Sequence, residues 1–195
     1  HLQEAYELRM QGITLPILIH GPLIYSDNVL EYIVEHEIEI EISDQVLVMK
    51  LQHVSERMNK TARIHLSIDT GMGRTGALPQ DIPQILEEIL QSKNLKLKGV
   101  MTHFAVADET KQEDVQFTHS QIELFRSIKK LVLKKFSHEI LFHTSNSAGA
   151  ISYVEGLCDM VRPGIASYGY PGVQNKLNLE PVMELTSRIA LIKEF

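Results

Sequence analysis

Short apolar runs alternate with segments of helical period along this chain, and that alternation restricts its fold more than any other feature. Leu2, Ala5, Tyr6 and Met10 recur at helical spacing up to Gly12, and the extended Pro16-Ile17-Leu18-Ile19-His20 follows. Ser26-Asp27-Asn28 then opens a helix carrying Val29, Leu30 and Ile33, and Ile38, Ile40 and Ile42 alternate in a second strand. Ser43-Asp44 caps a helix with Val46, Leu47, Leu51, Val54 and Met58, which hands over to Ile64-His65-Leu66-Ser67-Ile68. A helix near Ile82 to Leu90 leads into a strand at Leu97 to Phe104. A long helix, Asp114 to Lys135, leads into another at Ile140 to Thr144, and Asp159-Met160-Val161-Arg162 closes the series.

Six short strands separated by helices, without hairpin signals, predict a parallel α/β sheet whose polar clusters lie at the strands' C-terminal edge. Open doubly wound sheets and closed barrels share that rule, so periodicity does not choose between them. No Gly-, Ser- or Pro-rich linker divides the chain, and 195 residues with 44% hydrophobic content suffice for one core. From Glu180 the pattern changes: Pro181 to Ile189 is strand-like with no helix after it, which reads as entry into a different unit.

The formal net charge of -6, with no stripe of Lys and Arg, offers nothing for a phosphate backbone, so a nucleic-acid partner is not expected. The single Cys158 excludes an internal disulfide and fits a reducing compartment, so the expected location is the cytoplasm. No apolar run approaches the roughly 20 residues that cross a bilayer, and His1-Leu2-Gln3-Glu4 is not a signal sequence.

Gly71-Met72-Gly73-Arg74-Thr75-Gly76 matches GxGxxG after a strand, but Leu78-Pro79 stands where a dinucleotide site would start its helix, and no acidic residue ends the next strand. The alternative is a tight loop presenting Arg74, whose guanidinium can take a carboxylate through two hydrogen bonds. His103 ends an apolar strand, where it is either a catalytic imidazole or a satisfied core histidine. His143-Thr144-Ser145-Asn146-Ser147-Ala148-Gly149 is a strand end rich in imidazole, hydroxyl and amide groups, and Arg162-Pro163-Gly164-Ile165 sets a fixed cation beside a glycine turn. Ordinary turn and cap chemistry would explain each alone. Together they occupy successive positions of the kind where barrel enzymes hold a phosphate.

No HExxH or CxxC offers a metal site and no GxSxG offers a serine nucleophile. His20, His36, His53, His119 and His138 read as surface or structural. The acidic string Glu35 to Glu41, interleaved with Ile, reads as a half-exposed strand, and Lys129, Lys130, Lys134 and Lys135 as a solvated helix face.

Asp69-Thr70-Gly71-Met72-Gly73-Arg74, Thr102-His103-Phe104-Ala105, Ser145-Asn146-Ser147-Ala148 and Arg162-Pro163-Gly164-Ile165, in that order and with Tyr168-Gly169 and Ser187-Arg188-Ile189, resemble the alanine racemase family. The resemblance runs from about Leu2 to Ile189. It implies a TIM (β/α)8-type barrel, of which 1–178 would be strands three to eight, followed at 179–195 by the start of a C-terminal β domain. It also implies pyridoxal 5'-phosphate as cofactor, an amino-acid substrate, a homodimer with shared active sites, and interconversion of L- and D-alanine for peptidoglycan.

By the same resemblance, Ser147 with the backbone of Gly164 and Ile165 would hold the cofactor phosphate, with Asn146 in the same motif. Arg162 would face the pyridine nitrogen, backed by His143. His103 would link Arg162 to a catalytic Tyr, and Arg74 would meet the substrate carboxylate or that Tyr. The two proton-transferring bases, a cofactor-bearing Lys and the Tyr, match nothing in these residues, so this segment alone is expected to be inactive. Ser67 departs from the family, which often carries a carbamylated Lys there, and that leaves the orientation of Arg74 open. Serine or broad-spectrum racemases, and a non-catalytic pyridoxal-phosphate-binding paralogue, share the motifs.

Overall fold

The structure is a computed structural model that describes residues 1–21, 26–173 and 177–194. Helices and strands alternate in the expected order: α1 (Leu2–Met10), β1 (Leu18–Ile19), α2 (Asp27–Glu35), β2 (Glu39–Ile42), α3 (Gln45–Arg57), β3 (Ala62–Ser67), α4 (Ile82–Gln91), β4 (Leu95–Met101), α5 (Gln112–Lys135), β5 (Leu141–His143) and α6 (Ser147–Ser152). The strands form one parallel sheet in sequential order, β1-β2-β3-β4-β5. Sequential parallel order with a helix at each crossover is the wall of an α/β barrel, and the chain is a partial barrel of that kind.

Local chemistry sets the helix ends. The Asp44 carboxylate accepts the N–H of Leu47 at 2.8 Å and starts α3. At the end of α1, Gly12 takes φ +78°, so that Ile13 N–H reaches back to Leu8 C=O at 3.1 Å. In α4, Pro83 sits in the first turn and Ile82, Ile85, Leu86 and Ile89 are all buried, spaced to form one stripe.

Strand parity gives the sheet two different faces. Ile40, Ile42, Ile64, Leu66, Val100 and Phe142 belong to the main hydrophobic cluster, with the buried faces of α2, α3, α4 and α5. The alternate positions Glu39, Glu41, His65, Ser67, Met101 and His143 point the other way, and all are buried as well. This corrects the half-exposed reading of the acidic strand: all four residues of β2 are buried. The Ile face packs on helices, so the Glu face turns into the barrel interior rather than to water.

The expected sixth strand is not formed. Residues 159–162 run beside β5, with Asp159 N–H on Phe142 C=O and Arg162 N–H on Ser145 C=O, each at 2.9 Å. The Asp159 carboxylate takes the N–H of Phe142 at 2.8 Å, so a side chain replaces the carbonyl that a regular ladder would place there. Residues 178–194 adopt neither helix nor strand, and Leu185 is 97% exposed. Hydrogen bonds from Val182 N–H to Tyr168 C=O and from Tyr170 Oη to Met183 C=O tie this segment back. No helix among the described residues is long and apolar enough to cross a membrane.

Candidate active site

Arg162 is the centre of the polar cluster at the strands' C-terminal edge. Its Nη1 donates to His143 Nδ1 at 2.7 Å, and its Nη2 donates to Thr102 C=O at 2.6 Å and Thr144 C=O at 3.1 Å and lies 3.4 Å from His103 Nδ1. The guanidinium thus spans the ends of β4 and β5, two carbonyls holding its plane. Burial lowers its pKa to about 10, so it keeps its charge at neutral pH. Its third nitrogen, Nε, is buried and has no hydrogen-bond partner among the described residues.

Behind Arg162, His143 Nε2 meets His65 Nδ1 at 2.8 Å, and His65 Nε2 meets Glu39 Oε2 at 2.8 Å. Burial, reinforced by the charge of Arg162, pushes the His143 pKa down to about 2, so this imidazole is neutral and accepts. Gly99 makes room for the arrangement: a Cβ there would lie 2.1 Å from His65 Nδ1.

Glu41, two residues along β2 from Glu39, accepts from His20 Nδ1 at 2.6 Å, Gly21 N–H at 3.0 Å and Thr75 Oγ1 at 3.3 Å. Burial works to raise its pKa, but hydrogen bonds from His20, Ser67 and Gly21 and the charge of His20 outweigh it and hold the value at about 2. The His103 ring lies 6.0 Å from that of His20, and its pKa is lowered to about 4 by burial and then by Arg162 and Arg74.

His103, Asn146, Ser147, Arg162, Gly164 and Ile165, six of the eight residues singled out from sequence, line one cavity of about 380 Å³ with Met72 and Phe104. That volume lies in the range of small-molecule sites. His143 lies behind the cavity wall and Arg74 beyond it, exposed, where its charge still reaches His103 and Arg162. Asn146 Oδ1 caps α6 through Gly149 N–H at 2.9 Å, while its Nδ2 donates to Phe104 C=O at 3.2 Å and lies 3.5 Å from His103 Nε2. Its amide therefore fixes neighbouring groups. Ser147 Oγ accepts from Ala166 N–H at 3.1 Å, which leaves its O–H to donate.

The glycine-rich loop is built differently. Gly71, Gly73 and Gly76 have φ of +133°, +68° and +111°, and the Asp69 carboxylate collects the N–H groups of Gly71 and Gly73 at 2.9 and 3.1 Å. Those N–H groups point inward, and α4 begins only at Ile82, so the loop lacks both parts of a dinucleotide site.

Sequence reasoning missed Glu39, Glu41 and His65. Their signal was the alternation in β2 and β3: once Ile40, Ile42, Ile64 and Leu66 face covering helices, Glu39, Glu41 and His65 must face the interior.

An incomplete α/β barrel with a buried guanidinium and a polar-lined cavity at the C-terminal edge of its strands places the chain in the class of α/β barrel proteins. The sequence matches the family described as "Alanine racemase, N-terminal domain" over residues 1–171, and the chain belongs to that family. The alanine racemase of Treponema denticola is 40% identical over 99% of this chain and 51% of its own length, and alanine racemase 2 of Caldanaerobacter subterraneus is 36% identical over 99% and 50%. The chain thus spans about half the length of these curated relatives. Among solved structures, an alanine racemase of Clostridium difficile superimposes with a TM-score of 0.82 at 32% identity, over 98% of this chain and 53% of its own. One from Bacillus anthracis with bound L-Ala-P gives 0.79 at 29% identity, over 92% and 46%.

Proposed function

We propose that this chain forms the cofactor-holding part of a pyridoxal-5'-phosphate-dependent alanine racemase, an enzyme that interconverts L- and D-alanine. The observation that carries the reading is Arg162 Nε, a buried donor without a partner among the described residues, in a guanidinium whose Nη1 and Nη2 are both held by hydrogen bonds. An aromatic ring nitrogen, an acceptor with one lone pair in the ring plane, satisfies such a donor, so the residues present fit the group. When bound, pyridoxal phosphate supplies the electron sink that acidifies the amino acid's Cα–H.

Arg162 holds a ring nitrogen by donating to it while keeping its own proton, because a guanidinium does not deprotonate at neutral pH. That limits the withdrawal of electrons into the ring and disfavours side reactions such as transamination. The free O–H of Ser147 and the N–H groups of Gly164 and Ile165 take the phosphate. Asn146 sets His103, which stands between Arg162 and a catalytic Tyr, and exposed Arg74 receives the substrate carboxylate.

Residues 1–178 belong to the barrel and 179–195 begin a second, β-rich domain. The two bases, a Lys and a Tyr, belong to the remainder of a longer protein that acts as a homodimer in the cytoplasm, its D-alanine destined for peptidoglycan.

The test is to add pyridoxal 5'-phosphate and L-alanine to the complete protein and to follow D-alanine by a coupled D-amino-acid oxidase assay. Cofactor-dependent appearance of D-alanine supports the reading, and cofactor binding without turnover replaces it with a non-catalytic paralogue.

A further inference from the structure

The buried carboxylate of Glu39 has no place in the site as its motifs describe it, yet it ends a continuous line of hydrogen bonds that starts at Arg162. The line runs Arg162 Nη1, His143 Nδ1 at 2.7 Å, His143 Nε2 to His65 Nδ1 at 2.8 Å, and His65 Nε2 to Glu39 Oε2 at 2.8 Å. Both imidazoles are no more than 1% exposed, and the Glu39 side chain is 7% exposed, so water does not compete for these atoms.

The direction of every proton in this line is determined. Arg162 is donor-only, so His143 Nδ1 must be bare and its hydrogen must sit on Nε2. That hydrogen points at His65 Nδ1, which must then be bare too, so His65 is neutral with its hydrogen on Nε2. The Nε2–H in turn needs an acceptor, and the carboxylate of Glu39 is the group in reach. The reverse order would set a hydrogen on His143 Nδ1 against an Arg162 N–H at 2.7 Å, which no arrangement of protons relieves. A protonated His65 would likewise leave His143 without a nitrogen-bound hydrogen.

We propose that Glu39 is a positioning residue for Arg162, acting through His65 and His143: it closes the line with a fixed acceptor, holds both imidazoles in the Nε2–H tautomer, and so keeps His143 Nδ1 bare for the guanidinium. The Arg162 plane is then held on three sides, by His143 and by the carbonyls of Thr102 and Thr144, with Nε aimed by what remains. The inference rests on the cofactor reading only in saying what Arg162 is positioned for.

The experiment is ¹⁵N spectroscopy of imidazole-labelled histidines in the complete protein, without added cofactor, with signals assigned by His65→Gln and His143→Gln. Wild type is expected to show single Nε2–H tautomers at both positions. Glu39→Met removes the acceptor and is expected to turn the His65 signal into a tautomer mixture, whereas Glu39→Gln keeps an amide oxygen in place and is expected to restore the single tautomer. A hydrogen on Nδ1 of either histidine in wild type, or an unchanged spectrum in Glu39→Met, overturns the proposal. Should the Met variant fail to fold, the wild-type and Gln spectra still decide, since mixed tautomers in either are equally fatal. Failure of pyridoxal phosphate to bind is seen in a separate titration: it would sink the proposed function and leave the relay standing.

Discussion

The Asp69–Gly76 loop and the cluster joining His143–Ser147 to Arg162–Ile165 sit at the same edge of the sheet and spend their hydrogen-bond donors in opposite ways. In the loop, the N–H groups of Gly71 and Gly73 turn inward to the Asp69 carboxylate, so three left-handed glycines serve a tight turn that presents Arg74. In the cluster, carbonyls and His143 use only part of what Arg162 offers, leaving Nε unpaired among the described residues, and the Ser147 hydroxyl keeps its hydrogen. Glycine content alone therefore does not mark an anion site. What marks a ligand site is a buried donor that no described residue satisfies.

The largest expected effect that would test this contrast comes from Arg162→Glu in the complete protein. The substitution removes the donor and places there an acid able to pass a proton to a ring nitrogen. Racemase kcat should fall by about 10²-fold or more, and the bound cofactor should gain a long-wavelength absorbance band. Unchanged kinetics and an unchanged spectrum would put the two regions on an equal footing. Gly76→Ala should act on stability instead: φ is +111° and a Cβ would lie 2.6 Å from Asp69 N, a strain of about 1–3 kcal/mol. Denaturant midpoints should drop while the cofactor titration stays put. A large loss of cofactor affinity at normal stability would bring the loop into the cofactor site.

The most gradual effect is the pH dependence of stability. In the folded chain the pKa values of His103 and His143 lie at about 4 and about 2, against 6.5 in the unfolded chain, so below pH 6.5 the unfolded state binds more protons. Their neutral forms are accommodated fully above that pH, and stability should fall as the pH drops toward 4, by up to about 1.4 kcal/mol per unit for the fully buried His143 and by less for the half-buried His103. Glu41, depressed from 4.5 to about 2, adds a contribution present above pH 4.5 and lost as the pH falls toward 2. Urea titrations between pH 7.5 and 4 measure the first limb, and a flat profile there would mean that the cluster does not hold its histidines neutral.

Much of the fold is legible in the chain. The stripe Ile82, Ile85, Leu86, Ile89 predicts α4 nearly to the residue, and Asp44 marks the start of α3. The strand expected at 159–162 was lost to a side chain, because Asp159 takes a ladder position that periodicity assigns to backbone. Six of the eight candidate site residues were found together around one cavity because strand ends of a parallel sheet converge on one edge whatever lies between them. Glu39, Glu41 and His65 escaped because an alternating strand looks the same whether its polar face meets water or a barrel interior.

By itself, the sequence determined the period of each element, the caps that bound it and the strand ends where chemistry collects, since these depend on neighbours a few residues away. Only the tertiary structure decided which donors and acceptors pair. His143 reaches His65 across 78 positions and His65 reaches Glu39 across 26. Hydrogen bonds depend on separations of about 3 Å in space, so the same curled sheet that spent the loop's donors on Asp69 left Arg162 Nε without a partner among the described residues.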